Sequence, residues 1–199
     1  MTKKTNSGTL TVVLDESNPH LGGNSVENNP NTFSPDSWKY IIDKYKIESV
    51  LDVGSGYGHA ASWFHEYGLK TYAIDGLEVN CQNAKHPTKC VDLSKKHFVV
   101  DVDMVNCIEV VEHVDEKYID NLLTTLCCGK YIFMTHGLPK QRGHHHVNNQ
   151  LPEYWINHFK DRGYVHIEED SLKIRELSGT GKHIRESGMV FVKGLKSGI

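Results

Sequence analysis

No stretch of this 199-residue chain approaches the ~20 consecutive apolar residues of a membrane span. The longest early apolar stretch, Leu10 to Leu14, is too short for a secretory signal core and runs straight into Asp15 and Glu16. Cysteines are few and odd in number. The five, at 81, 90, 107, 127 and 128, form no Cys-x-x-Cys pair, which argues against a disulfide framework or a cysteine zinc site. A reducing, cytoplasmic setting is the expectation, with no membrane partner. Neither charge dominates: 22 Lys plus Arg stand against 25 Asp plus Glu, a net charge of −3. That balance excludes a broad nucleic-acid-coating surface, though not recognition of a nucleotide or an RNA end. Histidine, by contrast, is abundant: 13 residues, three of them consecutive at His144, His145 and His146.

Residues 1–33 are rich in Asn, Ser, Gly and Thr and carry little periodicity. They read as a flexible N-terminal arm, or as an ordered lid, because His20-Leu21-Gly22-Gly23 joins an apolar anchor to close-approach glycines. From residue 34 onward a single domain to residue 199 is expected. Ser34 can cap, Pro35 suits a first helical position, and Trp38, Ile41, Ile42 and Tyr45 fall on one helical face. Strands at 49–53, 71–75, near Val91, at 104–108, 131–134, 164–168 and 189–193 then alternate with helices. These helices are centred on Ala60–Tyr67, on 77–85, on the segment from Asp115 to Gly129, and on the segment from Pro152 to Gly163. Such alternation predicts a mostly parallel sheet with helices on both faces.

Asp52-Val-Gly54-Ser55-Gly56-Tyr-Gly58 lies between a strand and a helix, at the carboxyl edge where doubly wound sheets bind ligands. A dinucleotide fingerprint would place glycine at position 59, where this chain has His59. Asp52 would repel a pyrophosphate but attract an ammonium, and Asp75, ending the next strand, can accept from ribose hydroxyls. Taken alone, the loop also suits a structural turn or another nucleotide site. Together with Asp75 and Cys107-Ile-Glu109-Val-Val-Glu112-His113-Val114, it resembles the class I S-adenosylmethionine-dependent methyltransferases over about residues 35–193. The resemblance implies a Rossmann-like fold with a seven-stranded sheet and S-adenosylmethionine as cofactor. It also implies a cofactor set of Asp52, Gly54, Ser55, Gly56, Asp75, Leu77, Asp92 and Cys107. In that set the glycine loop holds the methionine portion, Asp75 the ribose, Leu77 packs on adenine and Asp92 accepts from its amino group.

Glu109, Glu112 and His113 are spaced i, i+3 and i+4, which on one helical turn would gather them on one side. Two carboxylates and an imidazole in one cleft call for a neutralising cation, and oxygen-plus-imidazole ligation suits Mg²⁺, Mn²⁺ or Fe²⁺. His144, His145 or His146, in a loop leaving the next strand, can complete such a site, with His145 and His146 the candidate ligands. The Glu-x-x-Glu-His pattern is similar to the metal site of small-RNA 3′-end 2′-O-methyltransferases and of ubiquinone-pathway O-methyltransferases. The same acids could instead line a pocket or hold a substrate amine. The resemblance implies methyl transfer to a hydroxyl of a sugar, nucleotide or phenol, assisted by Mg or Mn, with His113, His136 and His145 as candidate catalytic groups. Metal-free N-methylation and a non-catalytic binding module are the alternatives. No oligomeric state is readable from the sequence.

Overall fold

The computed structural model describes residues 2–7 and 10–194. In chain order the strands are β1 (Thr2–Ser7), β2 (Leu10–Asp15), β3 (Ser49–Val53), β4 (Lys70–Asp75), β5 (Lys89–Cys90), β6 (Val102–Cys107), β7 (Gly129–Met134), β8 (Tyr164–His166) and β9 (Met189–Lys193). The helices are α1 (Pro35–Tyr45), α2 (His59–Glu66), α3 (Glu78–Asn83), α4 (Ile119–Leu126), α5 (Pro152–Lys160), α6 (Glu168–Glu176) and α7 (Lys182–Ser187). Seven strands form one sheet in the order β5-β4-β3-β6-β7-β9-β8, parallel except for β9, which runs antiparallel to both its neighbours. Order reverses beside β3, so the ends of β3, β4 and β6 open a crevice at the carboxyl edge. Among the described residues no helix is long and apolar enough to cross a membrane.

Strand alternation builds the two cores. Leu51, Val53, Val105, Cys107, Ile132 and Met134 face one side, under Leu122, Leu123 and Leu126 of α4 and Trp155 and Phe159 of α5. Val50, Met104, Phe133 and Val190 face the other, under Trp38 and Ile41 of α1, Phe64 of α2, Ile174 of α6 and Ile184 of α7. Asp52 and Asn106 lie directly opposite each other in register on this second side. There Trp38 Nε1 donates to Asn106 Oδ1 at 3.1 Å, and Asn106 Nδ2 donates to Asp52 Oδ1 at 2.7 Å.

Two helices follow where the sequence suggested only a strand over 164–168. The strand stops at His166, and α6 turns polar groups inward. Its Asp170 is buried and accepts from Tyr40 Oη, Lys44 Nζ and Tyr45 Oη, all on α1. An inward-facing carboxylate hides the apolar period that marks a helix in a sequence. The first 33 residues also carry more structure than their composition suggests. β1 and β2 pair as an antiparallel hairpin, and Val13 packs on Tyr57 and Leu77. The chain then doubles back along β2, with Val13 N donating to Asn24 O at 2.9 Å and Val26 N to Thr11 O at 2.8 Å.

The Trp38–Asn106–Asp52 chain gives a stability prediction. Trp38→Phe keeps an aromatic ring in the core but leaves the buried Asn106 oxygen without its donor, at a cost of about 1–3 kcal/mol. Urea unfolding should show a lower midpoint at unchanged m; an unshifted midpoint would show that the bond contributes nothing.

Candidate functional site

The ends of β3, β4 and β6 border a cavity of about 570 Å³ whose lining includes Asp52, Gly54, Ser55, Gly56, Asp75, Asp92, Glu109 and His113. Its floor is the glycine loop after β3. Gly54 has φ +67°, and a side chain there would bring its first carbon within 2.3 Å of Val110 Cγ2. Only glycine fits that backbone. Asp75 fixes the loop from the neighbouring strand. Its Oδ2 accepts from Gly56 N at 2.8 Å, and its Oδ1 from Leu77 N and Asn80 Nδ2, both at 2.9 Å. Burial raises the Asp75 pKa against the pull of these bonds.

Asp52 is buried more severely. Desolvation, opposed by Asn106 and reinforced by the charge of Asp75, pushes its pKa up to about 7. Asp52 Oδ2 meets no partner in bonding geometry, and neither does the buried Ser55 Oγ. An anionic acceptor and a hydroxyl, both without partners in the lining of one cavity, suit the ammonium and carboxylate of an amino-acid end. The residues present therefore fit the methionine portion of S-adenosylmethionine.

Other expected cofactor residues stand elsewhere. Leu77 is buried against Val13 and Tyr57 and is absent from the cavity lining, because α3 begins by turning it beneath the hairpin. Its place against the end of β4 is taken by Leu21, which packs over Gly76. Cys107 points into the core below α4 and does not line the cavity. Asp92 does line it, and its carboxylate contacts His20 Nε2 at 3.2 Å, Ser94 Oγ at 2.7 Å and Lys95 Nζ at 3.0 Å. His20, Leu21 and Asn24 belong to the segment that follows the hairpin. Asn24 exchanges two hydrogen bonds with Asn80, at 3.0 and 3.3 Å.

The acid–histidine motif is divided. The 3₁₀ turn after β6 starts only at Val111, and Glu109 precedes it in a left-handed conformation, φ +55°. Its carboxylate is thereby turned to Thr135 Oγ1 and His183 Nδ1, each at 3.0 Å. Burial would raise the Glu109 pKa, but His183 and Thr135 outweigh it and hold the group below its ordinary range. Among the described residues, Glu112, His113 and His146 form the group that could hold a metal, their ligand atoms all within 4.8 Å of one another. Both oxygens of Glu112, His113 Nδ1 and His146 Nδ1 are buried without hydrogen-bond partners. Burial, followed by the charge of Glu109, raises Glu112 well above the usual carboxylate range. Burial, followed by His146, lowers His113 to about 4. Unpaired acceptor atoms from one carboxylate and two imidazoles fit a divalent cation.

The triple histidine fans out, because His145 adopts φ +49° and reverses the chain. His144 Nε2 bonds to Pro19 O at 2.7 Å, His145 faces His20 with ring centroids 6.3 Å apart, and His146 meets His113 at 5.0 Å. Of these, His146 alone joins the candidate metal group, so His145 and Glu109 are not brought into it. His136, expected as a base, is buried 6.4 Å from Trp155 and does not line the cavity. His183, which no local sequence pattern singles out, does line it.

Asp52 makes a pH prediction. Its pKa is near 7 in the folded chain and near the ordinary 3.8 when unfolded. The native state therefore binds the extra proton between these values, and stability falls as pH rises through that window, by about 4 kcal/mol. Asp52→Asn keeps an acceptor for Asn106 and removes the charge. The variant should match the parent near pH 4 and exceed it by about 2–4 kcal/mol at pH 8 in urea unfolding. Parallel pH profiles would contradict this.

Residues 51–133 match the family model described as a methyltransferase domain. A stretch of 103 residues is 31% identical to the ubiquinone biosynthesis O-methyltransferase of Rickettsia typhi, covering 43% of this chain and 42% of that one. The match thus spans less than half of that relative's length. Among solved structures, a TehB-like methyltransferase from Corynebacterium glutamicum superposes with TM-score 0.58 at 15% identity, over 80% of this chain and 88% of that one. Magnesium protoporphyrin IX methyltransferase from Synechocystis, with bound S-adenosylmethionine, gives 0.53 at 14% identity over 65% and 66%. At such identities these two likenesses speak to the fold. With the methyltransferase-domain model matched over residues 51–133, they show that the chain has the Rossmann-like methyltransferase fold.

Proposed function

We propose that this chain transfers a methyl group from S-adenosylmethionine to a hydroxyl of a small acceptor, a diol-bearing sugar, nucleotide or RNA end, or phenol, with a divalent metal at Glu112, His113 and His146. The observation that carries the reading is the set of unpaired buried atoms on those three residues, beside the cofactor cavity. Leaving such atoms unpaired is costly, and a cation would offset that cost. Two imidazoles and one carboxylate favour Mn²⁺ or Fe²⁺ over the harder Mg²⁺.

The chain's own contribution is positioning. Asp52 and Ser55 hold the amino-acid end of the cofactor, Asp75 fixes the loop below it, and Leu21 covers the end of β4 where the nucleoside would lie. A sugar or phenol hydroxyl is a weak nucleophile at neutral pH, and a bound cation supplies acidity to such a hydroxyl. The three ligands hold and orient that cation. His20, His144 and His145 line the same cavity, and the near-balanced charge of the chain favours a small acceptor or an acceptor end over a long polymer.

Glu112→Gln should bind S-adenosylhomocysteine as the parent does and lose Mn²⁺ affinity by at least about tenfold, read by calorimetry. Turnover with a panel of catechol, adenosine and RNA 3′ ends should vanish on EDTA treatment and return with Mn²⁺ in the parent only. Undiminished turnover after exhaustive chelation removes the metal from the reading and favours methylation of an amine held by the acids.

A further inference from the structure

Deprotonation of the acceptor needs a base inside the cavity; of the expected candidates, His136 lies outside it, His113 belongs to the candidate metal group, and His145 faces the His20 ring. His183 occupies the cavity wall. It stands in the first turn of α7, and its backbone N–H donates to Asn31 O at 3.1 Å. Its Nδ1 lies 3.0 Å from Glu109 Oε2, and the other oxygen, Oε1, accepts from Thr135 Oγ1 at 3.0 Å. The backbone N–H of Glu109 in turn donates to the same Thr135 hydroxyl at 2.8 Å. Three elements thus converge to hold one imidazole: the end of β6, the end of β7 and α7.

Two features mark the arrangement as more than packing. Glu109 is a non-glycine residue at φ +55°, a conformation that costs about 1 kcal/mol or more and persists only where surroundings enforce it. Both side chains are mostly but not wholly buried, 16% exposed for Glu109 and 22% for His183, and both line the cavity. A carboxylate on Nδ1 selects the Nδ1–H tautomer and leaves the Nε2 lone pair as the ring's free acceptor. Of the other histidines lining the cavity, His113 and His146 stand with Glu112, His144 with Pro19 O, His20 with Asp92 and His59 with Val26 O, while His145 faces the His20 ring and has no carboxylate to orient it.

We propose that His183, oriented by Glu109, is the proton acceptor for the hydroxyl being methylated; the proposal rests on the hydroxyl-methylation reading above. As the acceptor oxygen forms its bond to the methyl carbon, the carbon–sulfur bond breaks. The electron pair of that bond returns to sulfur, so the sulfonium becomes a neutral thioether. The hydroxyl proton passes to His183 Nε2, the resulting imidazolium is stabilised by the Glu109 carboxylate, and solvent takes the proton in the next step. One proton is released for each methyl transferred.

The test pairs a variant with a measurement on the unaltered chain. His183→Asn retains an N–H for Glu109 but offers no basic nitrogen. With catechol or adenosine as acceptor and Mn²⁺ present, its kcat should fall about 100-fold or more, with affinity for S-adenosylhomocysteine within twofold of the parent. His183→Ala should fall as far. A kcat within threefold of the parent in His183→Asn would overturn the proposal. Independently, ¹⁵N–¹H correlation of the parent's histidine rings at pH 8.5, with His183 assigned by the signals lost in His183→Asn, should show the Nδ1–H tautomer. Glu109→Gln should shift those signals. An Nε2–H tautomer at His183 overturns the proposal whatever the turnover. If the parent methylates neither diol, the underlying reading fails, and the tautomer still reports on His183.

Discussion

The carboxylate of Asp75 is the constraint from which the cleft takes its shape. It accepts from Gly56 in the loop after β3, from Leu77 at the start of α3, and from Asn80 one turn along that helix. Asn80 is then free to pair with Asn24, so the segment beyond the N-terminal hairpin is registered on the same group. Floor, wall and roof therefore share one anion at the end of one strand. That anion is buried, and its desolvation is tolerable because backbone and amide donors surround it.

Three acids near the cleft, Asp52, Asp75 and Glu112, all have raised pKa values, and burial is the leading cause in each. Asp52 opposes Asn106 across two strands, and Glu112 lies beneath two imidazoles. Groups of this kind weaken the empty fold and are relieved when a counter-charge arrives. The cleft thus couples the folding free energy of the domain to its occupancy. The same arithmetic explains why these positions do not resemble an optimised core.

Much of the architecture was legible in the sequence because buried parallel strands and amphipathic helices leave strong local signals. Val50 to Val53, Tyr131 to Met134, and the Trp38–Ile41–Ile42 face of α1 stand where their patterns put them. The glycine loop was legible for a different reason, since a backbone that excludes Cβ atoms has to be written in glycine. What escaped was tertiary. α6 buries Asp170 on three donors from α1, so its inward face is polar. Leu21 takes the place expected of Leu77 through the path of the hairpin, which no local pattern records. The acid–histidine spacing suggested a single turn, but Glu109 adopts a positive φ and its partner His183 lies 74 residues away in the sequence. His145 likewise sits at a reversal that its neighbours in sequence do not announce.

The antiparallel course of β9 separates access from attachment. Met189 pairs with Met134 at the carboxyl edge, beside the cleft, and the strand then descends until Lys193 pairs with Tyr164. Gly194 follows, its N–H bonded to Gly163 O, so the described chain leaves the sheet on the side opposite the ligand crevice. The other end of the described chain forms the hairpin whose continuation roofs that crevice. A surface or fluorophore coupled through the Gly194 side would face the floor of the sheet and leave the mouth open to solution. One coupled through the hairpin would ride on the roof itself.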